Sequence, residues 1–175
     1  HLDELIAEQV VTAESTEARL IIPGDAQWPT QLNDLAERAP LGLWVVGTAD
    51  LRLLALRSVA IVGARAATTY GLMLSRNTAA TLADHGWLVV SGGAFGIDAA
   101  AHQGALDAGG STACVLAGGI DVTYPRAHEG LFRAIAGQGL LISEAALGAS
   151  AQRQRFLTRN RIISALTRST VVVEA

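Results

Sequence analysis

Residues 87–106 read WLVVSGGAFGIDAAAHQGAL, and how this stretch is read decides the fold. The apolar run WLVV ends at Ser91, Gly92 and Gly93, and past Gly96 comes a segment in which Asp98 and His102 lie four apart, on one face of a helix. Hydrophobicity that is continuous rather than alternating belongs to strands buried on both faces, the usual state of parallel strands. Strand, glycine turn and helix thus follow one another within twenty residues.

Outward from this stretch the pattern recurs. LGLWVVG (41–47), SVAIVGAR (58–65), TACVLAGG (112–119), LLISEA (140–145) and TVVVEA (170–175) are apolar runs, most of them closed by a glycine or serine turn. Stretches of helical character lie between them, at 70–85, 96–108, 127–137 and 157–167, long enough for right-handed crossovers. The alternation predicts an open, doubly wound α/β fold with a mainly parallel sheet. Residues 2–11 suit one amphipathic helix, and the segment after it, broken at Pro23-Gly24, reads as a linker. The final run has no helix after it to cover it, and the first residue is His1, so we expect a fragment of a longer chain.

The 175 residues are half hydrophobic and 17% charged, which excludes long disorder and allows one good core. No apolar run reaches the roughly 18–20 residues that span a bilayer. A signal-peptide pattern is missing from HLDELIAEQVV, and the single cysteine, Cys114, sits in the apolar run STACVLA as a small core residue, so a cytoplasmic location is expected.

The charge is uneven. Residues 1–50 hold nine acids against two arginines, and residues 51–175 hold eleven arginines against seven acids, within a net charge of −3. Four arginines crowd RQRFLTRNR (153–161) around Phe156 and Asn160. The apolar seam Ile162, Ile163 and Leu166 predicts a helix whose first turn holds Thr158, Arg159 and Asn160, with Arg153 and Phe156 just ahead. Cations at a helix start oppose the macrodipole unless a polyanion is bound. Guanidiniums flanking an aromatic ring are suited to single-stranded nucleic acid, the charges following phosphates and the ring stacking on a base. The structural alternative is that Phe156 is core and the arginines cover it.

Ligands of open α/β sheets bind beyond the carboxyl ends of the strands. After the run that begins at Ser58, Gly63-Ala64-Arg65 lacks the second glycine of a dinucleotide fingerprint, so no NAD, FAD or other cofactor is expected. Arg65, beside Thr68 and Thr69, suits a phosphate oxygen, or else an ion pair with Asp98 or Glu144. Gly92, Gly93 and Gly96 free main-chain amides for an anion at a helix start, or merely make a tight turn. Asp98, His102 and Ser91 or Ser143 could be imagined as a hydrolase triad, but no nucleophile elbow is present, and His1, His85, His102 and His128 show no metal-ligand spacing.

Taken in order, SVAIVGARAATTYG, VVSGGAFGIDAAAHQGAL, VLAGGIDVTYP, LISE, and FLTRNRIISAL followed by VVVEA resemble the bacterial DNA-processing protein family DprA, also called Smf. With GDAQWPTQLNDLAERAPLGLWVVG ahead of them, the likeness covers roughly residues 20–175. It implies an extended Rossmann-like domain over 41–175, incomplete at its C-terminus, preceded by the end of an N-terminal helical domain (1–15) and a linking segment (16–40). It further implies a protein that binds and protects single-stranded DNA and helps load the RecA recombinase in natural transformation and recombination, in a family not known chiefly as enzymes. A homodimer is implied for the full-length protein rather than for this fragment.

Carried over by position, the resemblance assigns DNA phosphate to Arg65 and main-chain contacts to Ser91, Gly92, Gly93 and Gly96. Arg153 becomes the basic residue ahead of the ring, Phe156 the stacking ring, and Arg159, Asn160 and Arg161 the closing motif. Ala64 stands where the family commonly has serine, and Leu157 where it frequently has proline. The rival reading is a LOG-like phosphoribohydrolase or a nucleotide sensor, but SGGAFGIDAAAH lacks the threonine and glutamate of that enzyme's loop.

Overall fold

The computed structural model describes the backbone of residues 2–175 and the side chains from Gln9 onward; of the expected N-terminal span 1–15, His1 lies outside the described residues. The apolar runs form strands. In chain order the elements are α1 (Leu2–Ser15), β1 (Arg19–Ile21), a 3-10 segment (Thr30–Arg38), β2 (Leu43–Val46), α2 (Leu51–Ala55), β3 (Ser58–Val62) and α3 (Thr69–Asp84). These are followed by β4 (Leu88–Ser91), α4 (Ile97–Asp107), β5 (Thr112–Leu116), a 3-10 turn (Arg126–His128), α5 (Glu129–Gln138), β6 (Leu140–Ser143), α6 (Arg153–Leu166) and β7 (Ser169–Val172).

One seven-stranded sheet runs β1-β2-β6-β5-β4-β3-β7. The five strands β6, β5, β4, β3 and β7 are parallel, as the continuous apolar runs predict. LGLWVVG departs from that expectation, because β2 lies antiparallel to both β1 and β6. Hydrophobicity records how deeply a strand is buried and carries no information about its direction. Residues 16–40, expected as a linker, supply β1 and bury Trp28 and Leu32 in the main core.

Alternate side chains of the strands fill opposite faces. Ala60, Val90, Ala113, Val115 and Ile142 face α6, where they meet Ile162, Ile163 and Leu166. Ile61 and Val89 face α3 and α4, and Cys114 and Leu141 meet Phe132 and Ile135 of α5. Burial pushes the Cys114 thiol up to about 12, so it packs as a neutral apolar group. From β6 the chain crosses back through α6 to β7, on the far side of β3, and the strand order therefore reverses between β3 and β7. Such a reversal opens a crevice at the strands' carboxyl ends.

The helix at 157–167 begins four residues earlier than its sequence suggests, at Arg153. RQRFLTRNR contains no glycine or proline to stop a helix, so it propagates back to Gln152, whose backbone is extended. Arg153, Phe156 and Asn160 consequently share one stripe of α6, and Arg159 falls on the stripe of Ile162, Ile163 and Leu166.

His102 is fully buried on α4, where its Nδ1–H donates to Thr112 Oγ1 at 2.7 Å, while the Thr112 hydroxyl donates to Val89 O at 2.7 Å. Burial first, then the charge of Arg159 and the proximity of His128, lowers its pKa from 6.5 to about 3. An unfolded chain takes up this proton as the pH falls through 6.5, and the folded chain resists it until about 3. This contribution is therefore complete above the unfolded value and is lost as the pH falls across that window, by at most about 1.4 kcal/mol per pH unit. Urea unfolding at about pH 7 and about pH 5 is expected to show a steeper loss for the wild type than for His102→Asn, which lacks the titrating ring. Equal slopes would contradict a neutral buried imidazole.

Candidate nucleic-acid interface

The loops after β3, β4 and β5 and the start of α6 meet at the carboxyl edge of the sheet. Arg65, Gly92, Gly93, Phe95, Tyr124 and Phe156 line one cleft there. A second depression, lined by Gly63, Arg65, Asp98, Phe156, Asn160 and Ser164, continues from it along α6. Residues far apart in sequence thus form a continuous rim.

At its centre the Arg65 guanidinium lies over the Phe156 ring, 5.1 Å from the centroid. Tyr124 meets the same ring edge-on at 5.7 Å. Phe156 is only half buried and Arg65 is exposed, so this stack faces solvent. Arg153 opens α6 as an exposed cation, and Asn160 is exposed two turns further along the same stripe. Arg65, Phe156 and Asn160 thus line the rim, and Arg153 is exposed one turn ahead of Phe156 on the same stripe of α6.

Arg159 is buried instead. It is 6% exposed, and its Nη1–H donates to Gly92 O at 2.7 Å and also to Val115 O. The neighbouring Asp98 carboxylate accepts the Gly92 N–H at 3.2 Å and the Ala94 N–H at 3.3 Å. The Gly92 residue is thus gripped at its carbonyl by a buried cation and at its amide by a buried acid. A Cβ at Gly92 would sit 2.5–2.6 Å from the guanidinium atoms, so any other residue would have to push Arg159 off its carbonyl partners. Burial pushes the Asp98 carboxyl above its ordinary range while the Arg159 charge pulls it back. Burial likewise lowers the Arg159 pKa, against the pull of Cys114 and Asp98.

Three further expectations are corrected. Ser91 is fully buried at the end of β4, in register with Cys114 of β5, so its main chain does not face the cleft, and its hydroxyl donates to Ile61 O at 2.6 Å, tying β4 to β3. Arg161 forms a bidentate pair with Glu144, at 2.9 and 2.5 Å, and its Nε–H donates to Arg38 O at 2.8 Å, so it fastens α6 to the β6 loop and the 3-10 segment. The Gly92 amide is already used by Asp98. Gly93 is buried against Cys114 and Phe132, and its carbonyl accepts from His128 Nδ1–H at 3.0 Å. Gly96, at φ +77°, precedes α4 and lies against the backbone of Ala64 and Arg65, so this glycine lets the Arg65 loop come close.

The imagined triad does not assemble, because the Ser91 hydroxyl serves Ile61, the Ser143 hydroxyl donates to Gly118 O at 2.6 Å, and the His102 imidazole serves Thr112. Among the described residues no cluster of metal-ligating side chains occurs, and no helix is long and apolar enough to cross a membrane.

Sequence reading missed two aromatic residues of the cleft. Tyr124, treated only as part of a turn, is 52% exposed beside Phe156, and Phe95 is 49% exposed with its ring 4.6 Å from that of His128. An aromatic inside the glycine-rich turn SGGAFG was the available sign, since such a turn offers no core to bury it.

Known proteins share this sequence pattern and this fold. The sequence profile of the family described as DNA recombination-mediator protein A matches residues 19–175. A DNA processing protein DprA of Mycobacterium tuberculosis is 47% identical over 167 residues, which covers 90% of this chain and 43% of that protein. Protein Smf of Escherichia coli is 38% identical, over 89% of this chain and 41% of its own length. The X-ray structure of DNA processing protein A from Streptococcus pneumoniae superposes with a TM-score of 0.82 at 33% identity, covering 94% of this chain and 57% of that one. A structure of DNA processing protein A from Helicobacter pylori, described for its single-stranded DNA binding mode, superposes with a TM-score of 0.78 at 28% identity over 89% of this chain. The chain spans less than half the length of the two curated relatives given. With a profile match over nearly its whole length and the same fold in two members, this chain belongs to the DNA recombination-mediator protein A family.

Proposed function

We propose that the cleft binds single-stranded DNA with little sequence preference, and that the whole protein uses this binding to protect the strand and help a RecA-type recombinase load in recombination and natural transformation. The observation that carries this reading is the solvent-facing stack of Arg65 on Phe156, with Tyr124 at its edge. In the free protein the guanidinium covers one ring face. On binding it swings to a phosphate and a base takes its place on the ring, which exchanges a cation–π contact for base stacking and a charge-assisted hydrogen bond. Arg153 and Asn160, on the same stripe of α6, extend the track along the backbone of the strand.

Membership of the family and the relative described with single-stranded DNA support the choice of ligand. The cleft is lined in part by the rings of Phe95, Tyr124 and Phe156, which an unpaired strand can meet with its bases and a duplex cannot, and this favours a single strand. The role is binding rather than catalysis.

Fluorescence anisotropy with a labelled dT oligomer and a duplex of equal length tests the proposal. Tighter, salt-dependent binding of the single strand is expected; equal or stronger duplex binding would overturn it. Release of ribose from AMP would instead favour the hydrolase.

A further inference from the structure

Glu174, which follows β7, touches both ends of the loop that carries Arg65. At one end its backbone carbonyl accepts the Ala64 N–H at 2.7 Å. At the other its carboxylate accepts the Thr68 N–H at 3.1 and 3.2 Å and the Thr68 hydroxyl at 3.0 Å. Thr68 is the N-cap of α3, its Oγ1 accepting the Gly71 N–H at 3.1 Å. Residues 64–68 are therefore fixed where they leave β3 and where they enter α3, by one residue from the opposite side of the topological switch point.

The neighbouring glycines fit this arrangement. A Cβ at Gly63 would come within 2.5 Å of Glu174 O, and one at Gly71 would collide with the Glu174 carboxylate. On its other flank the loop is held by α4, where the Ile97 N–H donates to Ala64 O at 3.2 Å. Arg65 projects from a strap clamped on both sides, and its own side chain is bonded to neither clamp.

We propose that Glu174 is a positioning residue for Arg65, setting the loop so that the guanidinium rests over Phe156 and meets the phosphate of a bound strand. This rests on the single-stranded DNA reading above. The proposal has a counter-intuitive sign. Taking a carboxylate away from the edge of a DNA-binding cleft should strengthen binding if charge alone mattered. A positioning role requires binding to weaken instead.

The test is a double-mutant cycle on affinity for the labelled dT oligomer, with circular dichroism to establish folding. Glu174→Ala is expected to weaken binding about fivefold in the wild-type background, the size associated with losing one capping acceptor. In the Arg65→Ala background the same change is expected to have no further effect. Glu174→Gln, which keeps an acceptor oxygen for the Thr68 N–H, is expected to recover most of the affinity, and it carries the comparison if the alanine variant fails to fold. Unchanged or tighter binding by Glu174→Ala, or an equal loss in both backgrounds, would overturn the proposal. No effect of Arg65→Ala by itself would instead count against the DNA-binding reading on which it stands.

Discussion

Replacing Arg159 by methionine is expected to lower the unfolding free energy by about 3–5 kcal/mol, the usual result of removing one partner from a buried charged network. Its guanidinium supplies hydrogen bonds to the carbonyls of Gly92 and Val115 and is the opposite charge that steadies the buried Asp98. Methionine keeps the length and the apolar stem of the side chain but leaves both carbonyls without their buried donor. Domains of this size are stable by only about 5–15 kcal/mol, so the loss is a large share of the total. Arg153→Ala, at an exposed position, is expected to change stability by less than about 0.5 kcal/mol. Urea denaturation of the two variants makes the comparison. Similar midpoints would mean that the two arginines play the same part, contrary to their placement.

The second large effect is on binding. Phe156→Ala is expected to weaken the complex with a dT oligomer by about 1–3 kcal/mol, the range for loss of one base–aromatic stack. The ring is half buried, meets Arg65, Tyr124 and, at 6.0 Å, the guanidinium of Arg159, and belongs to none of the core clusters, so the substitution should cost more in affinity than in stability. Phe156→Tyr or Phe156→Trp keeps a π-face and is expected to retain most of the affinity. Because stacking is unscreened by salt, the loss should be nearly the same at low and high ionic strength. A loss confined to low salt would indicate that the ring merely props up the arginines.

The layout of the fold was legible because β3, β4, β5 and β6 are buried on both sides, and burial of that kind writes an unbroken apolar run. Direction was not legible, as β2 shows. The start of α6 was misplaced because the seam Ile162, Ile163 and Leu166 marks only the part of the helix that packs on the sheet, while the exposed first turns carry no apolar signal. Counting back along that seam by three and four residues reaches Arg159, so its burial was readable in principle. Arg153 and Arg159 have the same chemistry, and only helical phase separates the exposed cation from the buried one. Ser91 was misjudged for a related reason: a residue ending a strand looks open to a ligand until the strands on both sides, β3 and β5, bury it. Glu174 could not be seen at all, since its partners Ala64 and Thr68 lie about a hundred residues away and become neighbours only when β7 crosses to the far side of β3. Tyr124 and Phe95 lie in loops, where no periodicity distinguishes a functional ring from an incidental one.

The central claim is that Arg65 meets the backbone of an unpaired strand from the rim it shares with Phe156. The most direct test is the salt dependence of binding to a dT oligomer, measured for the wild type and for Arg65→Ala. One phosphate contact fewer should lower the slope of log affinity against log salt by about 0.7 for a single strand, with affinity falling at every salt concentration. Identical slopes and affinities in the two proteins would contradict the account.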